Sequence, residues 1–161
     1  MNLNKIEYIE LMVDPSPRRK LVVILVTDVV GYSSMMEKNE DQTLKNLKAC
    51  RNIIEGLVDE HHGNIFNTAG DSILAEFQSA VEAVICGSEF QSTIKERNNS
   101  ILEEERMEFR VGINMGDVVI EGENLYGEGV NVAARLEALA QPGGVCLSKN
   151  CLLYTSPSPR D

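Results

Sequence analysis

Six apolar residues in a row, Leu21 to Val26, run into Thr27-Asp28-Val29-Val30-Gly31-Tyr32. A run without polar alternation predicts a strand covered on both faces. Gly31 permits a tight turn just after Asp28. The period then lengthens. Leu44, Leu47, Ile54, Leu57 and Val58 fall at helical spacing, with Asn39 or Asp41 as a start cap and His61-His62-Gly63 as the stop. Ile65 to Thr68 and Ile73 to Phe77 flank Ala69-Gly70-Asp71-Ser72, which is the pattern of a hairpin. Ser79 caps a second helix whose apolar face is Val81, Val84, Ile85, Phe90 and Ile94.

Arg97 to Arg106 is polar and charged and reads as a solvated connection. Phe109 to Asn114 alternates as a strand, Met115-Gly116 turns it, and Asp117 to Glu121 returns as another. Gly122 to Gly129 reads as a loop. Val130 to Ala140 has helical composition and stops before Pro142-Gly143-Gly144. Val145-Cys146-Leu147 begins one more strand. At the chain's start, residues 2–12 suit a short helix, and Asp14 to Lys20 suits a linker, so residues 1–19 are expected to be peripheral. At its end, Tyr154 to Asp161 has no periodicity and two prolines, and reads as a non-native tail. The expected domain is therefore residues 20–153.

Strand, helix, strand, strand, helix, strand is the β-α-β-β-α-β order of an α+β, ferredoxin-like fold with an antiparallel-rich sheet. A helical crossover makes the first two strands parallel. The first strand then ends at the same rim as the hairpin, and first and third strands pair. Asp28 and Asp71 are expected to become neighbours there. Two close carboxylates repel unless one is protonated or a cation lies between them. A pair of Mg²⁺ or Mn²⁺ ions would resolve the repulsion and clamp a phosphoryl group. Both acids are also ordinary turn residues, and spacing alone leaves that reading open.

Composition narrows the partners. The 161 residues carry a formal net charge of −10, which disfavours a nucleic-acid backbone as partner. A polyphosphate ligand would need metal ions or a few well-placed bases to offset that charge. No apolar run approaches the roughly 18 residues needed to cross a bilayer, so no membrane segment is expected. Cys50, Cys86, Cys146 and Cys151 form no Cys-x-x-Cys pair and suit reduced thiols in the cytoplasm. His61-His62 reads as a helix-end pair rather than a metal site.

Four segments, in order, resemble the class III nucleotide cyclase catalytic domain: Asp28-Val29-Val30-Gly31-Tyr32-Ser33, Gly70-Asp71-Ser72-Ile73-Leu74-Ala75-Glu76-Phe77, Phe109 to Gly116, and Tyr126-Gly127-Glu128-Gly129-Val130-Asn131-Val132-Ala133-Ala134-Arg135-Leu136. The likeness runs from about Leu21 to Leu147. It implies that a ribose 3′-hydroxyl attacks the α-phosphorus of a nucleoside triphosphate, giving a 3′,5′-cyclic monophosphate and pyrophosphate. It implies that Asp28 and Asp71 bind two divalent metals, with the Val29 carbonyl as a further ligand. Asn131 and Arg135 then orient the ribose and stabilise charge at the α-phosphate. It also implies a head-to-tail homodimer in which one subunit supplies the acids and the other the Asn/Arg pair.

The base-reading positions fall by offset on Asn67 and Asn124, matching neither the Lys/Asp of adenylate cyclases nor the Glu/Cys of guanylate cyclases. An amide offers donor and acceptor and discriminates purines weakly. Family domains continue past Leu147, so the chain is expected to be truncated at that end. Two functions follow. One is an active cyclase, first for ATP and alternatively for GTP. The other is a cyclase-homology module that binds nucleotide or a partner without turnover. A diguanylate cyclase or polymerase palm is disfavoured, since Gly70-Asp71-Ser72 stands where a Gly-Gly-acid-acid hairpin would be.

Overall fold

The structure, a computed structural model, describes residues 18–155. The apolar run becomes the centre of strand β1, Arg18–Val29, buried continuously from Val22 to Thr27. Its side chains feed two cores. Val23, Leu25 and Val29 pack on one side of the sheet, and Val22, Ile24 and Val26 on the other. That is why the run shows no polar alternation.

After β1 come helix α1 (Tyr32–Lys38), helix α2 (Glu40–Glu60), strands β2 (Asn64–Ala69) and β3 (Ser72–Phe77), and helix α3 (Ala80–Asn99). A short 3-10 turn at Glu103–Glu105 leads to β4 (Phe109–Glu121), β5 (Asn124–Tyr126), helix α4 (Glu128–Leu139), β6 (Val145–Leu147) and helix α5 (Lys149–Thr155). The sheet order is β2-β3-β1-β4-β5, with β6 pairing β4. β1 is antiparallel to both β3 and β4, and β2 is antiparallel to β3, so β1 and β2 run the same way. This is the ferredoxin-like α+β arrangement expected. Helices α2 and α3 supply the larger core, while Ala133 of α4 joins the smaller one.

Caps follow the sequence. The Asn39 side chain accepts from the Gln42 N–H at the start of α2, and Ser79 accepts from Glu82 at the start of α3.

Five expectations are corrected. β4 is one strand rather than two, because β1 pairs it without a break through Val23↔Met115 and Val22↔Gly116. A continuous ladder outweighs the local turn preference of Met115-Gly116. Part of the expected Gly122–Gly129 loop is β5, which folds back on β4 through the pair Glu121↔Asn124. The expected solvated connection begins in helix, since α3 runs to Asn99. Its polar residues have interior partners: Arg97 Nη2 donates to Asn46 Oδ1 and Asn98 Nδ2 to the Met107 carbonyl. Regular structure also continues past Leu147, because buried Cys151 anchors α5, which takes in Tyr154 and Thr155. Helix α1 is a further element without a sequence expectation. The expected linker also gives way at its end, where Arg18, Arg19 and Lys20 open β1 opposite Ile120, Val119 and Val118. The expected helix at 2–12, linker residues 14–17 and residues 156–161 lie outside the described residues.

Cys50, Cys86 and Cys151 are buried, and all four cysteines are free. Burial pushes the Cys86 thiol up to about 12, so it packs and does not react. Among the described residues no helix is long and apolar enough to cross a membrane.

Candidate active site

The β1–β3 register sets the rim. Thr27 lies opposite Ile73, which leaves Asp28 beside the start of β3. Ala69 pairs with Ser72, so Gly70-Asp71 is a two-residue turn, and Gly70 takes the left-handed φ of +60° that such a turn needs. Asp71 therefore points back at the end of β1, where its Oδ2 accepts the Val29 N–H at 2.9 Å. The two acids, distant in sequence, share one rim. On the outer side of the turn, Arg51 of α2 donates from Nη2 to the Gly70 carbonyl at 2.8 Å.

A third acid arrives from α4. Glu137 is 7% exposed and hydrogen-bonds Asp28. It gets there because α4 lies directly on β4 at Gly112. A Cβ at Gly112 would collide with the backbone of Ala133 and Glu137. Burial is the main force raising the Glu137 carboxyl well above the ordinary 4.5. The Asp28 hydrogen bond and the charges of Asp28 and Asp71 raise it further, and nearby Arg110 opposes them. Arg110 stands across from Asp28 in the β1–β4 register and gives its Nε to the Ala140 carbonyl. Among the described residues, no ion pair within 4.0 Å holds Asp28, Asp71 or Glu137. The rim is thus short of positive charge, and its donor set is oxygen only, which suits a hard divalent cation.

The other site residues lie apart from the rim. Helix α4 buries Gly129, Ala133 and Glu137, four residues apart, and turns Asn131 and Arg135 outward. The Arg135 guanidinium pairs with Glu128 at 2.9 Å, with side chains 67% and 76% exposed, a contact of small energy. Asn67 is exposed on β2 beside a register shift. Asn124 opens β5 and is locally engaged: its Nδ2 donates to the Tyr126 hydroxyl and its Oδ1 accepts the Leu125 N–H.

A second cluster sits at the other end of the β2–β3 hairpin. Ligand-type atoms of Glu60, His61 and Glu89 lie within 4.8 Å of one another. His61 Nδ1 meets Glu82 Oε2 at 2.7 Å and Nε2 meets Glu89 Oε2 at 3.0 Å. The Glu89 and Glu82 hydrogen bonds raise the His61 pKa and so favour the imidazolium, the form that donates from both ring nitrogens and brings positive charge into this cluster.

Sequence reasoning missed Glu137, Arg110 and Arg51. Glu137 carried a signal, being an acid at the buried i+4 position of the Gly129-Ala133 stripe. Arg110 and Arg51 carried none, since their roles depend on pairing across the sheet and on the reach of a helix to a distant turn.

The sequence profile described as "Adenylate and Guanylate cyclase catalytic domain" matches residues 15–158. The chain belongs to that family, the class III nucleotide cyclases, whose catalytic domains are phosphorus–oxygen lyases. It is 46% identical over 138 residues to "Putative adenylate cyclase 3" of Rhizobium meliloti (strain 1021), covering 85% of this chain but 24% of that protein. The chain thus spans about a quarter of the length of that curated relative. Among solved structures, an adenylate/guanylate cyclase/hydrolase from Silicibacter pomeroyi superposes with a TM-score of 0.81 at 39% identity, over 87% of this chain and 82% of that one. The guanylyl cyclase Cya2 gives 0.78 at 28% identity, over 88% and 81%.

Proposed function

We propose that the chain is the catalytic part of a cyclase that turns ATP into 3′,5′-cyclic AMP and pyrophosphate, with two Mg²⁺ or Mn²⁺ ions, in a homodimer. The observation that carries this reading is the approach of Asp71 to the end of β1, which gathers Asp28, Asp71 and the Val29 backbone at one oxygen-lined rim. Asp28 and Asp71 would hold the ions, with the Val29 carbonyl as a further ligand of one. When bound, the ions would neutralise charge at the triphosphate and make the 3′-hydroxyl easier to deprotonate. The new bond joins the 3′-oxygen to the α-phosphorus, the hydroxyl proton passes to solvent, and the bond to the pyrophosphate oxygen breaks.

Asn131 orients the ribose, and Arg135 follows the negative charge that builds on the phosphoryl oxygens. The two faces of α4 support a shared site: one chain buries Glu137 at its own rim and directs Asn131 and Arg135 away from it. A partner's α4 would bring that pair to the acids. Free, buried thiols support a cytoplasmic setting.

The test is complementation. Asp28→Ala and Arg135→Ala each lack turnover in this scheme, the second by about 10²–10³ with triphosphate binding kept. A mixture of the two forms heterodimers with one intact site, so activity returns. An inactive mixture of folded, dimeric variants would remove the shared site.

A second reading is a nucleotide-binding module without turnover, and Asn67 and Asn124 favour it. Tyr126 and Leu125 already take one donor and one acceptor of the Asn124 amide, and what is left carries no charge with which to select a purine. Calorimetric binding of ATP or GTP with no cyclic product from either would select this second reading.

A further inference from the structure

The metal-side hairpin is held from outside by one side chain. Arg51 sits on α2, far from the motifs, yet its Nη2 reaches the Gly70 carbonyl at 2.8 Å. Gly70 is the first residue of the turn, has φ +60°, and immediately precedes Asp71. The guanidinium makes no salt bridge among the described residues, and its Nε is buried without a hydrogen-bond partner. An arginine with no carboxylate partner that spends its donor on one turn carbonyl is acting on that turn. The carbonyl is the hinge of the Asp71 peptide. Rotating it would swing Asp71 Oδ2 off the Val29 N–H, the contact that joins the hairpin to β1. Glycine offers no side-chain resistance to that rotation. The Ala69–Ser72 pair fixes the ends of the turn, and Arg51 adds a restraint at the Gly70 carbonyl itself.

We infer that Arg51 is a positioning residue for the metal site. It locks the Gly70 peptide so that Asp71 faces Asp28, and so sets cation affinity rather than phosphate or base recognition. The inference rests on the proposed metal role of Asp28 and Asp71 and needs turnover only for its second readout, so a wild-type chain that binds no Mn²⁺ overturns it. Outer contacts that orient a ligand are worth about 10–100-fold in metal affinity, and this one acts through the backbone, so the low end applies.

The test compares Arg51→Met and Arg51→Lys with the wild-type chain. Mn²⁺ binding is read by electron paramagnetic resonance with a non-cyclisable ATP analogue present, and turnover is titrated with Mn²⁺. Arg51→Met is expected to weaken Mn²⁺ binding about tenfold, and to raise the half-saturating Mn²⁺ for turnover by the same factor. Turnover at saturating Mn²⁺ stays within about twofold, and the lysine variant recovers part of the affinity because it keeps a charged donor. A purely structural side chain would lower the thermal midpoint and leave the Mn²⁺ constant alone. That outcome, or a fall in saturated turnover at unchanged Mn²⁺ affinity, overturns the inference. If no variant, wild type included, forms cyclic product, the cyclase reading fails, while the resonance titration still decides the role of Arg51.

Discussion

Two acid clusters occupy opposite ends of one hairpin, and they solve the same electrostatic problem differently. At the His61 end, an imidazolium bridging Glu82 and Glu89 offsets part of their negative charge from within the chain, and α2 is tied to α3. At the Asp28 end, Asp71 leans on a backbone N–H and Glu137 presses against Asp28, with no ion pair among the described residues to settle them. A cluster that contains its own cation is a strap. A cluster that lacks one and sits beside a strand end is prepared for a cation from solution. Counting nearby acids would rank the two alike; asking where the compensating charge comes from separates them.

The largest expected contrast is in turnover. Asp28→Asn should cost roughly a thousandfold or more, since several kcal/mol of charge stabilisation goes with the metal. Glu89→Gln at the strap should leave turnover within about twofold. Equal losses in a cyclic-product assay would break the comparison.

Next comes stabilisation by cation. Mn²⁺ at about a hundredfold over its Kd should add about 2.7 kcal/mol, or roughly 5–10 °C in a scanning thermal melt. Asp71→Asn should abolish that gain and His61→Gln should keep it. The reverse pattern would move the metal to the strap.

Two smaller effects depend on pH. The folded-state pKa of Glu137 lies above the ordinary 4.5, so the folded form loses stability as pH rises from there through the raised value. Glu137→Gln should therefore match the metal-free wild type near that lower pH and melt a few degrees higher at about pH 8. Added Mn²⁺ should narrow the gap. No difference at either pH would mean that the carboxyl is relieved in some other way.

The His61 pKa is also raised, from 6.5, so its stabilisation is fully present below that pH and is lost as pH rises through the folded value. His61→Gln should cost a few degrees at about pH 6 and almost nothing at about pH 9. A constant cost across that range would assign the effect to packing instead of charge.

The rim was legible in the sequence because strand order and hairpin chemistry are local signals. The six-residue run gave β1, Gly70-Asp71 gave the turn, and the ferredoxin-like order brought their ends together. The strap was not legible. His61 and His62 are adjacent in sequence, but the glutamates that meet His61 come from the next helix, at a distance no spacing rule covers. Met115-Gly116 misled for the opposite reason: its local preference is real, but the β1 ladder overrules it. The 3-residue strand β5 has too few positions to show alternation, and its register depends on β4.

Helix α4 has one implication beyond chemistry. Glu137 and Arg135 are two positions apart on the same rigid rod, one turned to its own rim and the other away from it. In a dimer of the proposed kind, a small roll of that rod shifts an acid in one catalytic centre and a guanidinium in the other at once. The paired centres would then be geared together, and a ligand that settles into the first would retune the second through the shared axle rather than through solvent.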